Sequence, residues 1–171
     1  MAQNKLTVSR TKMVNASHLY AAMASTIQTF FADYNRAPDD GPSVLSNTLT
    51  PDCRRYLRPY TFTDALGFPR DFYFNNTAYE AGIASEFSVT QTANWTVLFT
   101  SIDAQNLKAS AFSEYRVSLC GTDEYLVEVS WFWDFAEDGK KIRNILEVLE
   151  PIATLNYSAK AVEIAASGQT C

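Results

Sequence analysis

The sequence predicts an α+β domain. Helical periodicity dominates its first half, strand alternation dominates its second, and two long alternating segments meet at an Asp-Gly turn near the end. In that closing hairpin Tyr125, Val127, Val129, Trp131, Trp133 and Phe135 put an apolar residue at every odd position. Glu124, Glu128, Ser130 and Asp134 share the opposite face with Leu126 and Phe132. Asp138-Gly139 supplies the positive backbone angles of a tight turn.

The elements before the hairpin follow from spacing. Over 17–36, Leu19, Met23, Ile27, Phe30, Phe31 and Tyr34 recur at helical intervals, and Pro38 with Asp39-Asp40-Gly41 ends the run. A short second helix is predicted over 43–49, broken by Thr50-Pro51-Asp52. Residues 60–76 are too irregular for one element and too aromatic for a solvated linker, so they read as a loop packed over something. Thr77 and Glu80 have the spacing of a capping box and open a helix over 78–88. Strand formers fill 95–102 and 107–119, with Asp103-Ala104-Gln105-Asn106 as their turn and Cys120-Gly121-Thr122-Asp123 as the next. Pro151 ends the last strand, and 152–166 form a terminal helix. The expected architecture is a single domain spanning 1–171, with its core at 17–151. About four consecutive antiparallel strands curve around the first helix as a cone with one open end, and the 60–76 loop sits near the mouth.

Composition narrows the function. With 171 residues, 47% of them hydrophobic and 13% aromatic, the chain can bury a substantial core. A net charge of -5 and a pI near 4.8 disfavour nucleic acid and anionic membranes as partners. The leading MAQNKLTVSRTK has no continuous apolar run, and no later stretch reaches the ~20 apolar residues of a membrane span. A soluble, cytoplasmic protein is therefore expected, and the sequons at Asn15, Asn75, Asn94 and Asn156 carry no weight. Cys53, Cys120 and Cys171 are odd in number and widely spaced, which predicts three free thiols and no zinc site. His18 is the sole histidine and reads as a solvated or capping residue near the start of the first helix, which removes most Ser-His, Cys-His and multi-histidine metal chemistries and leaves acid-base work to carboxylates, tyrosines, lysines or a polarised water.

PDCRRYLRP after a long helix, NNTAYEAG opening the third helix and VEVSWFWDFAEDGKKIRNILEVLEP closing the sheet resemble, in that order, the SnoaL-like division of the nuclear transport factor two-like superfamily. More narrowly they are similar to the small fungal isomerases and cyclases of polyketide and meroterpenoid pathways. The resemblance implies a cone-shaped α+β barrel around one apolar pocket, a homodimer, and proton-transfer chemistry without metal or organic cofactor. In such enzymes a Cys-x-Arg pattern places an arginine in the pocket, read here as Arg54, and the closing strand supplies a pocket glutamate, here Glu147. Their Asn-Glu-Tyr pattern becomes Val127-Glu128-Val129, so one pocket tyrosine is missing.

Glu147 stands among Ile145, Leu146, Val148 and Leu149, where a carboxyl group is expected to titrate high and to move protons. Two registers compete. One turns Glu147 inward; the other turns Ile142, Asn144, Leu146 and Val148 inward and makes Asn144 the polar group that holds substrate, unless a bulge intervenes. Alternation puts Arg54 and Arg58 on one face and Arg55 on the other, and the face with Arg54 is read as the inner one, anchoring an oxyanion. Trp131 is a candidate stacking wall, and Tyr115, Tyr60 and Arg58 are candidates to orient substrate. Asp33 and Tyr34 read as cap and core. The expected function is isomerisation or cyclisation of an apolar, oxygenated small molecule. The alternatives are epoxide opening, dehydration, or a non-catalytic ligand-binding or dimerisation module. A buried Arg-Glu pair beside an open cavity speaks for catalysis; a cavity filled by Trp131, Trp133 and phenylalanines speaks for a scaffold.

Overall fold

The computed structural model describes the backbone of residues 2–169 and 171 and the side chains of residues 16–169 and 171. The side chains of the leading MAQNKLTVSRTK therefore lie outside the described residues. Helix α1 (Ala2–Asp40) is followed by a 3₁₀ turn (Pro42–Ser46), strand β1 (Leu49–Arg58), helix α2 (Tyr60–Ala65) and helix α3 (Asn76–Phe87). Strands β2 (Thr90–Asp103), β3 (Lys108–Leu119), β4 (Tyr125–Phe135) and β5 (Ile142–Leu149) and helix α4 (Pro151–Ser167) complete the chain.

The five strands form one sheet in the order β1-β5-β4-β3-β2. Four of them are the expected antiparallel meander. The fifth corrects the expectation: the segment around Thr50-Pro51-Asp52 is strand β1, and it pairs parallel to β5. Local residue choice concealed it, because a proline is tolerated at a sheet edge, where its missing N–H costs nothing. The sheet is thus mixed and does not close into a barrel. No helix among the described residues is long and apolar enough to cross a membrane.

The inner face of the sheet packs on α1. Phe30 and Phe31 meet Trp131 and Trp133 edge-on at centroid distances of 5.2–6.0 Å, and the two tryptophans stack on each other at 6.0 Å. Each such pair adds about 0.5–1.5 kcal/mol beyond the area it buries. At the far end of the hairpin, Gly139 has φ +70° and lies so close to α1 that a Cβ there would sit 2.9 Å from Met23 Cγ. Thr26 Oγ1 donates to the Gly139 carbonyl at 2.9 Å, which pins the turn to the helix. The turn is tied by Gly139 N–H to Ala136 O at 2.9 Å.

Three further local expectations shift. Helix α3 is capped by Asn75, whose side chain accepts from Ala78 N–H at 2.8 Å; the Thr77-Glu80 box is not formed, and Glu80 accepts from Ser46 instead. The 60–76 segment is folded: it contains α2 and then packs Phe68 on Phe72 at 4.5 Å, with Phe74 edge-on to both. The three free thiols reduce to one. Cys120 and Cys171 form a disulfide across a sequence separation of 51, and Cys53 alone is free and buried. Gly168, left-handed at φ 72°, ends α4 and turns the chain back towards the end of β3, a proximity that spacing along the sequence cannot show.

The disulfide closes a long loop that includes β4, β5 and α4. Cys171→Ser is expected to lose up to about 4 kcal/mol of stability by the loop-entropy relation. Chemical denaturation of both forms, with and without reductant, checks this: reductant should lower wild-type stability to that of the variant and leave the variant unchanged.

Candidate active site

Inside the sheet, one end of the inner face is filled by the tryptophan cluster and the other is left open. The open end is a cavity of about 340 Å³ whose wall is almost entirely apolar and aromatic. Its floor carries Tyr34 of α1, Tyr79 of α3 and Glu147 of β5; Trp95 and Tyr115 form one side, stacked at 4.4 Å. Leu66 and Phe68 from the packed segment and Ser158 and Val162 from α4 line it as well.

Glu147 is inside because β5 bulges. The pairing steps from Phe135↔Ile142 to Asp134↔Asn144, so one extra residue on β5 separates Ile142 from the next inward position. Ile142, Ile145, Glu147 and Leu149 are therefore all buried. Asn144 is turned away and donates to Asp134 Oδ2 at 3.2 Å, so it has no place on the cavity wall.

The arginine beside Glu147 is Arg55. On β1, Cys53, Arg55 and Leu57 face inward, whereas Arg54 is exposed and lies over the Tyr73 ring at 5.0 Å. Arg54 is thus corrected as the inward residue. The clue was present: counting Cys-x-Arg from Cys53 leads to Arg55, and apolar neighbours flank Arg55 at two-residue spacing. Arg58 and Tyr60 also leave the site, stacked on each other near the surface with the guanidinium 4.3 Å from the ring centroid. Trp131 is fully buried core; its indole N–H donates to Ser113 Oγ at 2.8 Å, and it does not line the cavity. Tyr115 does. His18 is exposed on α1, and Asp33 is buried, paired with Arg36 at 2.7 Å.

Arg55 Nη1 donates to Glu147 Oε2 at 3.0 Å, with both side chains buried. The same nitrogen donates to the Tyr34 hydroxyl, which donates on to Tyr79 Oη at 3.1 Å. The guanidinium carbon lies 3.7 Å from the Tyr79 ring centroid. Burial opposes the charge on Arg55, but Tyr34, Tyr79 and Glu147 outweigh it and hold it protonated. Burial raises Glu147 above the ordinary carboxylate range, and Arg55 only partly reverses this. Burial also pushes Tyr34 and Tyr79 far up, so both phenols are neutral donors at physiological pH. The tyrosine missing at Val129 is thus replaced by phenols from two helices. Tyr34, placed by periodicity in the core, is one of them.

A second carboxylate, Glu86 in the last turn of α3, lines the same cavity. Nothing in its sequence neighbourhood, ASEFS, marks it. Ser158 Oγ of α4 donates to its Oε1 at 3.1 Å.

No family model matches the sequence, and no curated protein matches it. The fold is nevertheless shared with solved structures: it is the SnoaL-like, ketosteroid isomerase-like fold. BvnE pinacolase from Penicillium brevicompactum shares it at 17% identity, over 87% of this chain and 94% of that one, with a TM-score of 0.68. PrhC from Penicillium brasilianum shares it at 13% identity, over 88% and 95%, with a TM-score of 0.71. A protein assigned as a SnoaL-like polyketide cyclase from Jannaschia shares it at 12% identity, over 81% and 92%, with a TM-score of 0.60. At such identities the common property is the fold.

The burial of Glu86 makes a pH-dependent stability. Its pKa is raised, first by burial and in part by the charge of Glu147, so the folded state favours the protonated form. Its stability contribution is therefore full below the ordinary carboxylate pKa and is lost as pH rises through the raised value. Glu86→Gln removes this loss. Relative to wild type, the variant should gain melting temperature steadily as thermal unfolding is repeated from acidic to neutral pH; parallel curves would contradict the assignment.

Proposed function

We propose that the protein is an enzyme that isomerises or cyclises an apolar, oxygenated small molecule of the polyketide or meroterpenoid kind by proton transfer, with no metal or organic cofactor. The observation that carries this reading is the buried Arg55-Glu147 pair bordering an open apolar cavity. An open cavity favours catalysis over the scaffold alternative, whose tryptophans fill only the other end of the sheet. The similarity of fold to a pinacolase and to a protein assigned as a polyketide cyclase supports the same class.

In this mechanism Glu147, held in place by Arg55, takes a proton from a carbon beside a carbonyl group. Its raised pKa makes it a stronger base than an exposed carboxylate, and the apolar wall excludes competing water. Negative charge develops on the carbonyl oxygen. The Tyr79 hydroxyl accepts from Tyr34, so its own proton is free to meet that oxygen, and Arg55 polarises the chain of phenols from behind. Return of the proton to another carbon gives isomerisation; attack of the enolate carbon on a second carbonyl carbon of the same molecule, whose C=O π pair moves to its oxygen and is protonated by the acid form of Glu147, gives cyclisation. Turnover of 4-(4-nitrophenoxy)butan-2-one, followed by release of nitrophenol, tests the base. Glu147→Gln should slow it by about 10²-fold or more, and an unchanged rate would refute the role.

The enzyme is proposed to act as a homodimer through the outer face of the sheet. Phe99 and Phe112 touch across β2 and β3 at 6.2 Å, and Phe132 and Leu126 of β4 are exposed on that face. Several charges around it are matched within the chain, Lys108 with Asp134 and Arg116 with Glu114 and Glu124, whereas the exposed Glu128 on the same face has no ion pair among the described residues. Sedimentation should show a dimer that Phe99→Asp with Phe132→Asp converts to monomer; a wild-type monomer would rule the interface out.

A further inference from the structure

Glu86 has a setting unlike that of Glu147. It is half-buried on the cavity wall, and its hydrogen-bond partner there is a hydroxyl group, Ser158 Oγ of α4 at 3.1 Å, with the Tyr157 phenol of the same helix also favouring its charged form. Tyr157 in turn meets Tyr115 edge-on, with ring centroids 6.0 Å apart. None of the described groups acting on the Glu86 carboxyl is cationic, whereas Glu147 acts on it as a like charge. The helix turn beneath it is held by Thr90 Oγ1 and Val89 N–H, which both donate to the Glu86 carbonyl, at 2.9 and 3.2 Å. Glu86 lies seven residues beyond Tyr79 on α3, two turns along the same face, or about 10 Å. The cavity therefore presents a base with a hydrogen-bond donor at one end and a lone, hydroxyl-held carboxyl group towards the other.

We propose that Glu86 is a second catalytic carboxyl group, which delivers a proton to a second substrate oxygen while Glu147 withdraws one from carbon. The proposal rests on the reading of Glu147 as the base. It narrows the substrate to a carbonyl compound with a hydroxyl, cyclic ether or ester oxygen β to the carbonyl, long enough to span the cavity. Glu147 removes the proton from the α-carbon, and the C–H pair becomes the new C=C bond. The β C–O bond breaks with its electron pair on oxygen, and Glu86 protonates that oxygen. Where the oxygen is part of a ring, the product is a ring-opened isomer with no atom lost; the reverse sequence closes the ring. Exchange with solvent returns Glu147 to carboxylate and Glu86 to acid.

Two probes that differ in leaving group test this, 4-phenoxybutan-2-one and 4-(4-nitrophenoxy)butan-2-one. A departing phenoxide needs a proton far more than a nitrophenoxide does. Glu86→Gln, confirmed as folded by thermal unfolding, should slow the phenoxy probe by about 10²-fold and the nitrophenoxy probe far less. Equal slowing of both would show a structural role, and no slowing would show none; either overturns the proposal. Loss of turnover in Glu147→Gln together with a normal Glu86→Gln sinks this inference alone. Full turnover in Glu147→Gln, or no turnover of either probe by wild type, sinks the reaction class on which it rests.

Discussion

The Arg55-Glu147 ion pair joins the elements that shape the site. Taking two opposite charges out of water costs several kcal/mol per ion, and their attraction offsets this only when geometry and further hydrogen bonds are good. Here β1 and β5 lie side by side in parallel register, which brings the two side chains to 3.0 Å. Tyr34 from α1 accepts from the same Nη1 and Tyr79 from α3 lays its ring on the guanidinium, while the buried Arg55 Nη2 has no hydrogen-bond partner among the described residues. Two strands and two helices thus converge on one guanidinium. The edge strand β1, although it carries a proline, belongs to the architecture because it holds that charge.

The inner face of the sheet divides its labour. Trp131, Trp133, Phe30 and Phe31 pack one end to full density, so the neighbouring cavity can stay open while the curved sheet keeps its support. The polar atoms at the open end are few and are held by partners: Glu147 by Arg55, Tyr34 by Arg55 and Tyr79, Glu86 by Ser158. A preorganised, poorly hydrated setting of this kind makes hydrogen bonds to a developing charge stronger than they would be in water. Helix α4 closes the far side of the cavity, and the Cys120-Cys171 disulfide fastens the end of that helix to β3. The covalent tie is therefore linked to the shape of the site as well as to stability.

The two cavity carboxylates illustrate how one chemical group takes different characters from its surroundings. Both are raised by burial. Glu147 faces a cation that favours its charged form, whereas Glu86 has a hydroxyl donor and a negative neighbour. Such a pair, separated by environment rather than by residue type, is suited to taking a proton at one place and giving one at another.

Much of this was legible in the chain itself. The alternation of Val127 to Phe135, the Asp138-Gly139 turn and the helical stripe from Leu19 to Tyr34 follow from backbone periods of two and 3.6 residues, which any local window of sequence displays. The same periods reduced β5 to two registers and β1 to two faces. Only the folded chain decided between them. A bulge let Ile142 and Glu147 both point inward, and the parallel seating of β1 on β5 turned Arg55, not Arg54, to the inside. Tertiary contact alone also assembled Tyr34, Tyr79, Glu86 and Tyr157, brought Cys171 to Cys120, and replaced the Thr77-Glu80 cap with Asn75. The physical reason is one of range: a periodic pattern records which way a side chain faces relative to its own backbone, but the partner it meets is set by packing between segments tens of residues apart.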